Sequence, residues 1–140
     1  ITVDTDAGTL SLAKGGAVSL VTYRNSCLYG VSSPVVINPF YAAASSGTKP
    51  TFRQIVVDGL NSSNDTGGKG WILKGYDVQT PLELVLANVA PSDAEMHANH
   101  VQISLSNSAV TPSGIGVSTD AVDLGGAVPS CLGAPSFPAL

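Results

Sequence analysis

Three stretches of this chain fall into register when written one under another: Val21, Tyr23, Asn25 and Ser26; Ile55, Val57, Gly59 and Leu60; Leu84, Leu86, Asn88 and Val89. Apolar residues recur at alternate positions, as on one face of a strand, and a small or amide residue then marks a corner. The spacings are 34 and 29 residues, which suits a solenoid repeat carrying loop insertions. Such a unit buries its apolar side only by stacking on the next, so the pattern predicts an all-β solenoid. The fullest unit runs from Trp71-Ile72-Leu73-Lys74 through a turn at Gly75 and Pro81 to Leu82-Glu83-Leu84-Val85-Leu86-Ala87-Asn88-Val89.

The other segments fit around these. Residues 1–12 read as a pair of short strands about Asp4-Thr5-Asp6-Ala7-Gly8, residues 17–28 as a strand, Val35-Val36-Ile37 as a buried strand, and residues 50–60 as another. Val101, Ile103 and Leu105 alternate as a last strong strand, with a weaker one within 110–122. No helical period runs to a useful length; residues 92–99 are expected to form at most a turn or two, with His97 and His100 solvated in a polar turn. The tail, 125–140, holds Pro129, Pro135 and Pro138 and reads as an extended cap over the last rung or along its side, which makes 1–140 a single piece.

Composition narrows the function classes. With 11% charged and 44% hydrophobic residues the chain is folded rather than disordered, and a net charge of −4 without any Lys/Arg cluster argues against nucleic acid. No apolar run approaches the roughly 20 residues of a membrane helix. Residue 1 opens in strand-like sequence with no basic-then-apolar leader, so a mature, soluble chain is expected. Cys27 and Cys131 have no metal-ligand spacing; a disulfide is possible, and neither a metal site nor a cofactor is expected. The low-charge surface rich in Ser, Thr, Gly and Asn suits a secreted protein. Asp4 and Asp6 would share one strand face, yet acidic residues before a glycine are foremost turn formers. Trp71 and Tyr76 are read as packing in or over the rung. Asn61-Ser62-Ser63 and Asn64-Asp65-Thr66 are glycosylation sequons in a polar loop.

In order along the chain, Gly15-Gly16-Ala17-Val18, Val21-Thr22-Tyr23-Arg24-Asn25-Ser26-Cys27, Pro34-Val35-Val36-Ile37, Phe52-Arg53-Gln54-Ile55-Val56, Gly75-Tyr76-Asp77, Pro81-Leu82-Glu83-Leu84-Val85-Leu86-Ala87-Asn88-Val89 and the Cys131 tail with Phe137-Pro138 form a connected pattern. It resembles the C-terminal part of the polygalacturonases of glycoside hydrolase family 28. The resemblance implies a right-handed parallel β-helix, secretion, and hydrolysis of α-1,4-galacturonan in pectin with inversion. It also implies that the catalytic motifs, Asn-Thr-Asp, Asp-Asp and Gly-His-Gly, lie upstream of the matched region, on missing sequence or a second polypeptide. The chain alone is then expected to be inactive, with no catalytic residue of its own.

Two further family elements bear on the matched residues. The substrate-binding Arg-Ile-Lys motif would precede Gly15-Gly16, where Ala7-Gly8-Thr9-Leu10-Ser11-Leu12 carries neither cation, and Lys14 reads as a surface lysine. Tyr41 matches a tyrosine that contacts substrate in the family; an aromatic packed on a loop is the alternative. Cys27 and Cys131 fall where the family has cysteines, so they bridge each other or cysteines of absent sequence. Two other readings compete with the hydrolase. One is a non-catalytic β-solenoid module that binds polysaccharide through aromatics such as Tyr41 and Tyr76. The other is an unrelated hydrolase using Thr2, Asp4 or Asp6 near its N-terminus.

Overall fold

A computed structural model describes residues 2–4, 16–40, 49–63, 70–91 and 95–131. They form nine strands: β1 (Thr2–Asp4), β2 (Ala17–Tyr29), β3 (Val36–Asn38), β4 (Thr51–Ser63), β5 (Trp71–Lys74), β6 (Leu82–Ala90), β7 (Met96–Asn99), β8 (Val101–Ser106) and β9 (Val117–Ala121). The strands separate into two sheets, β1-β3-β5-β7 and β2-β4-β6-β8-β9, and every strand pairs in parallel with its counterpart one rung away. The chain is therefore an all-β parallel β-helix, each rung a short strand, a corner and a longer strand.

The ladder register is the one the sequence repeat demands. Val21 pairs with Ile55 and Ile55 with Leu84; Tyr23 pairs with Val57 and Val57 with Leu86; Ser26 pairs with Leu60 and Leu60 with Val89. Each column points inward, and Ile55, Val57, Leu60, Leu84, Leu86 and Val89 are at most 2% exposed. The short strands supply the opposite wall through Ile37, Leu73 and Ala98, and the fully buried Trp71 lies beside them. Burial of an aliphatic side chain of this size is worth roughly 1.5–3 kcal/mol, so like-on-like stacking accounts for much of the cohesion between rungs.

The corner in the long strands is a column as well. Asn25, Gly59, Asn88 and Asn107 occupy equivalent places and all have positive φ, at 50°, 78°, 55° and 44°. Asparagine and glycine are the residues that tolerate this left-handed conformation. At Gly59 space matters too, since a Cβ would sit 2.9 Å from Asn25 Oδ1. Asn107 Nδ2 donates to Asn88 Oδ1 at 2.8 Å, and Asn88 Nδ2 donates to Asp58 Oδ1 at 2.9 Å and to the Gly125 carbonyl at 3.0 Å. The other corner turns at Gly75, where a Cβ would collide with the His100 carbonyl and the Leu82 amide.

Residues 125–131 run back along the side of the solenoid. Gly125 meets Asn88, the Pro129 carbonyl accepts from Asn61 Nδ2 at 3.0 Å, and Cys131 is disulfide-bonded to Cys27 with Cα atoms 5.8 Å apart. Residues 132–140 lie outside the described residues.

Several local expectations change. Residues 96–99, expected to form at most a helical turn, are strand β7, because Trp71, Ile72, Leu73 and Lys74 present a ladder that pairs residue by residue with Met96, His97, Ala98 and Asn99. His97 thus lies on a strand, and His100 sits at the corner with φ 52° and its Nδ1 shielded from solvent without a partner. Of the pair of short strands expected over residues 1–12, residues 2–4 form one, which pairs in parallel with β3, and the other lies outside the described residues. The weak strand within 110–122 contracts to Val117–Ala121.

Candidate functional site

The outer face of the odd-numbered sheet follows from the inward residues. With Ile37, Leu73 and Ala98 pointing in, Val36, Ile72 and His97 form one outward row. Asn38, Lys74 and Asn99 form the next; Lys74 pairs with Asn99, and Asn38 follows the Ile37–Leu73 pair. The backbone of Asp4 continues this second row through its pairing with Asn38.

Both middle strands of this sheet lead into an aromatic by the same route. Phe40 follows the end of β3 by two residues and Tyr76 follows the end of β5 by two residues, so the in-register strands deliver the two rings to one corner. They stack with centroids 5.3 Å apart and planes 26° from parallel. Phe40 stays 53% exposed, and Asn38 Oδ1 accepts from the Phe40 amide at 3.1 Å, which fixes the turn that presents the ring. Lys49 lies with Nζ 5.7 Å from the Tyr76 ring centroid, within cation–π range, and its ammonium is ion-paired with Asp77.

Asp77 organises the loop that carries Tyr76. Its Oδ1 accepts from the Gln79 amide at 3.0 Å, the Thr80 amide at 2.8 Å and the Thr80 hydroxyl at 2.6 Å. The Lys49 ammonium foremost, then the Thr80 hydroxyl, hold its carboxyl well below the ordinary value, outweighing the opposing desolvation; backbone amides add to the effect. The carboxylate therefore stays ionised in mild acid, and the aromatic platform keeps its support.

The described carboxylates are otherwise engaged in local contacts. Asp58 lies 3.7 Å from Arg24, Glu83 lies 3.7 Å from Arg53, and Glu95 lies 3.5 Å from His97. Asp120 accepts from the Ser104 hydroxyl at 3.2 Å, and Asp123 from the Gly125 amide at 3.0 Å. Among the described side chains, none of the Asn38–Lys74–Asn99 or Val36–Ile72–His97 residues is a carboxylate. Among the described residues no group of three or more His, Cys, Asp or Glu is placed to hold a metal ion.

The residues singled out from sequence distribute as follows. Tyr41, Asp6, Lys14 and Asn64 lie outside the described residues, although Tyr41 follows Phe40 directly. Asn61 stands on β4, and its Nδ2, the atom a glycan would take, donates to Pro129. Trp71 is fully buried, whereas Tyr76 is half-buried and stacked. Sequence reasoning missed Phe40, Lys49 and the role of Asp77; the signal available for the two rings was their equal offset from the ends of β3 and β5.

No family model and no solved structure matches the chain. It is 31% identical over 83 residues to a polygalacturonase of Ralstonia nicotianae, an alignment covering 56% of this chain and 16% of the relative. It is likewise 31% identical over 85 residues to a polygalacturonase of Ralstonia solanacearum, covering 55% of this chain and 16% of the relative. The chain thus spans about a sixth of the length of the curated relatives it matches. The sequence identity supports a polygalacturonase-like relationship for this chain, and the parallel β-helix is consistent with it.

Proposed function

We propose that this chain forms C-terminal rungs of a secreted pectin-degrading glycoside hydrolase that cleaves α-1,4-galacturonan with inversion, and that the outer face of the β1-β3-β5-β7 sheet contributes to its substrate groove. The carrying observation is the Asn38–Lys74–Asn99 row beside the stacked Phe40 and Tyr76 rings: amides and a cation suit a carboxylated, hydroxylated sugar, and an exposed ring suits its apolar face. Inversion needs two carboxylates with room for a water between them. The described carboxylates are occupied locally, which favours an acid and base carried by upstream sequence or a second polypeptide.

The β2 rung supports a larger solenoid. Val18, Val21, Tyr23 and Leu28 are only partly buried, whereas Ile55 and Val57 one rung further on are at most 1% exposed. Among the described residues no strand pairs with the free edge of β2, an edge another rung would cover. The Cys27–Cys131 disulfide favours an oxidising, extracellular setting. The same occupied carboxylates also favour a second reading, a non-catalytic module that holds pectin for a separate enzyme.

Electrophoresis of the native protein through gels cast with polygalacturonate or with neutral galactan tests the groove. The protein is expected to be retarded by polygalacturonate alone. Phe40→Ala and Tyr76→Ala should each weaken the retardation about two- to tenfold, as loss of an aromatic contact of about 0.5–1.5 kcal/mol implies. Equal mobility of wild type and both variants would remove this face from the account.

A further inference from the structure

Lys74 differs from the other described basic side chains. Arg24 is paired with Asp58, Lys49 with Asp77 and Arg53 with Glu83. Among the described residues Lys74 has no acidic partner. It ends β5 on the outer face, with Leu73 turned into the core, and its neighbours in the row, Asn38 and Asn99, are uncharged. Between its two nearest neighbours in the row Lys74 is therefore a positive charge flanked only by amides, in a chain of net charge −4.

The two amides beside it have spare hydrogen-bonding capacity of opposite kinds. Asn38 Oδ1 is taken by the Phe40 amide, which leaves Nδ2 as donor. Asn99 Oδ1 is shielded from solvent and has no donor, an orphan acceptor that a hydroxyl would satisfy once the side chain turns toward it. A donor, a cation and an acceptor follow one another on adjacent strands about 4.8 Å apart. Two residues beyond Lys74, Tyr76 joins the exposed Phe40 in the aromatic stack.

We propose that Lys74 is the carboxylate-reading residue of a uronate subsite, with Asn38 and Asn99 holding hydroxyls of the same sugar and the Phe40–Tyr76 stack receiving the face of the next. The inference rests on the galacturonan reading for its natural ligand, but the chemistry it assigns to Lys74 is recognition of an anionic sugar. Lys49 cannot serve in this way, because Asp77 already neutralises it. An ammonium on a half-exposed face gives a charge-assisted contact weakened by solvent and salt.

The test is calorimetric titration of the intact protein and its Lys74→Gln and Lys74→Arg variants with trigalacturonate, its methyl ester and an oligoglucuronate. Lys74→Gln should weaken trigalacturonate about three- to tenfold, leave the methyl ester unchanged and flatten the salt dependence of binding. Lys74→Arg should retain most of the affinity. Because the side chain points outward, the unfolding midpoint should stay unchanged in both variants, which separates recognition from structure. Unaltered trigalacturonate affinity in Lys74→Gln would overturn the proposal and leave the galacturonan reading intact, as would an equal loss for the methyl ester. Lys74-dependent binding of oligoglucuronate without binding of trigalacturonate would uphold the anionic subsite and overturn the galacturonan reading. Absence of binding to every uronate would overturn both.

Discussion

Replacing Asn88 tests the corner column, because one side chain there ties three parts of the molecule together. Asn88 is 3% exposed, has φ 55°, donates to Asp58 on the preceding rung and to Gly125 in the tail, and accepts from Asn107 on the following rung. Asn88→Gly removes three hydrogen bonds but keeps a residue at ease in the left-handed region. At about 1 kcal/mol net for each bond, with Asp58 and Asn107 partly resolvated, the loss is about 2–3 kcal/mol. Asn88→Ala loses the same bonds and also places an alanine where a left-handed conformation costs roughly 1–2 kcal/mol. Glycine's greater freedom in the unfolded chain offsets part of that difference, so alanine should be worse by about 0.5–1 kcal/mol, or about 2.5–4 kcal/mol in all. Urea unfolding followed by fluorescence of Trp71, the sole tryptophan and fully buried, reads both values. Variants within about 0.5 kcal/mol of wild type, or an alanine variant more stable than the glycine one, would refute the reasoning.

Two other perturbations read separate parts of the structure. Cys131→Ser opens a crosslink with a sequence separation of 104 and should lower stability by about 3–5 kcal/mol on loop-entropy grounds, measured by the same unfolding assay. The Asp77 carboxyl has a folded-state value below its ordinary 3.8, so its stabilising contribution is fully present above that pH and is lost as pH falls toward the lowered value. Asp77→Asn should therefore flatten the acid limb of a stability–pH profile, and an unchanged limb would count against the Lys49–Asp77–Thr80 arrangement.

Much of the solenoid was legible because its signal is local and repeated. Ile55 and Val57, Leu84 and Leu86, and Val101 and Ile103 alternate over enough positions to mark strands, and the Asn or Gly at each corner fixes how they align. Strand β7 was not legible: Met96, His97, Ala98 and Asn99 form a four-residue segment with a polar outer side, and pairing with β5 makes it a strand. The same limit applies to the site. Lys49 and Asp77 lie 28 residues apart and meet because loops from consecutive rungs converge. The stacking of Tyr76 on Phe40 was not legible, because Phe40 belongs to the preceding rung. Trp71, by contrast, was readable as core, since it opens an apolar run that faces inward at alternate positions.

Release of reducing ends from polygalacturonate is the measurement that bears most directly on the account, comparing the purified 140-residue polypeptide with the same polypeptide joined to, or mixed with, the rungs that precede it. The account predicts no release by the 140-residue polypeptide alone and release once the preceding rungs supply the acid and base. Release by the polypeptide alone, abolished by Asp4→Asn, would contradict it and place the chemistry on the N-terminal carboxylates.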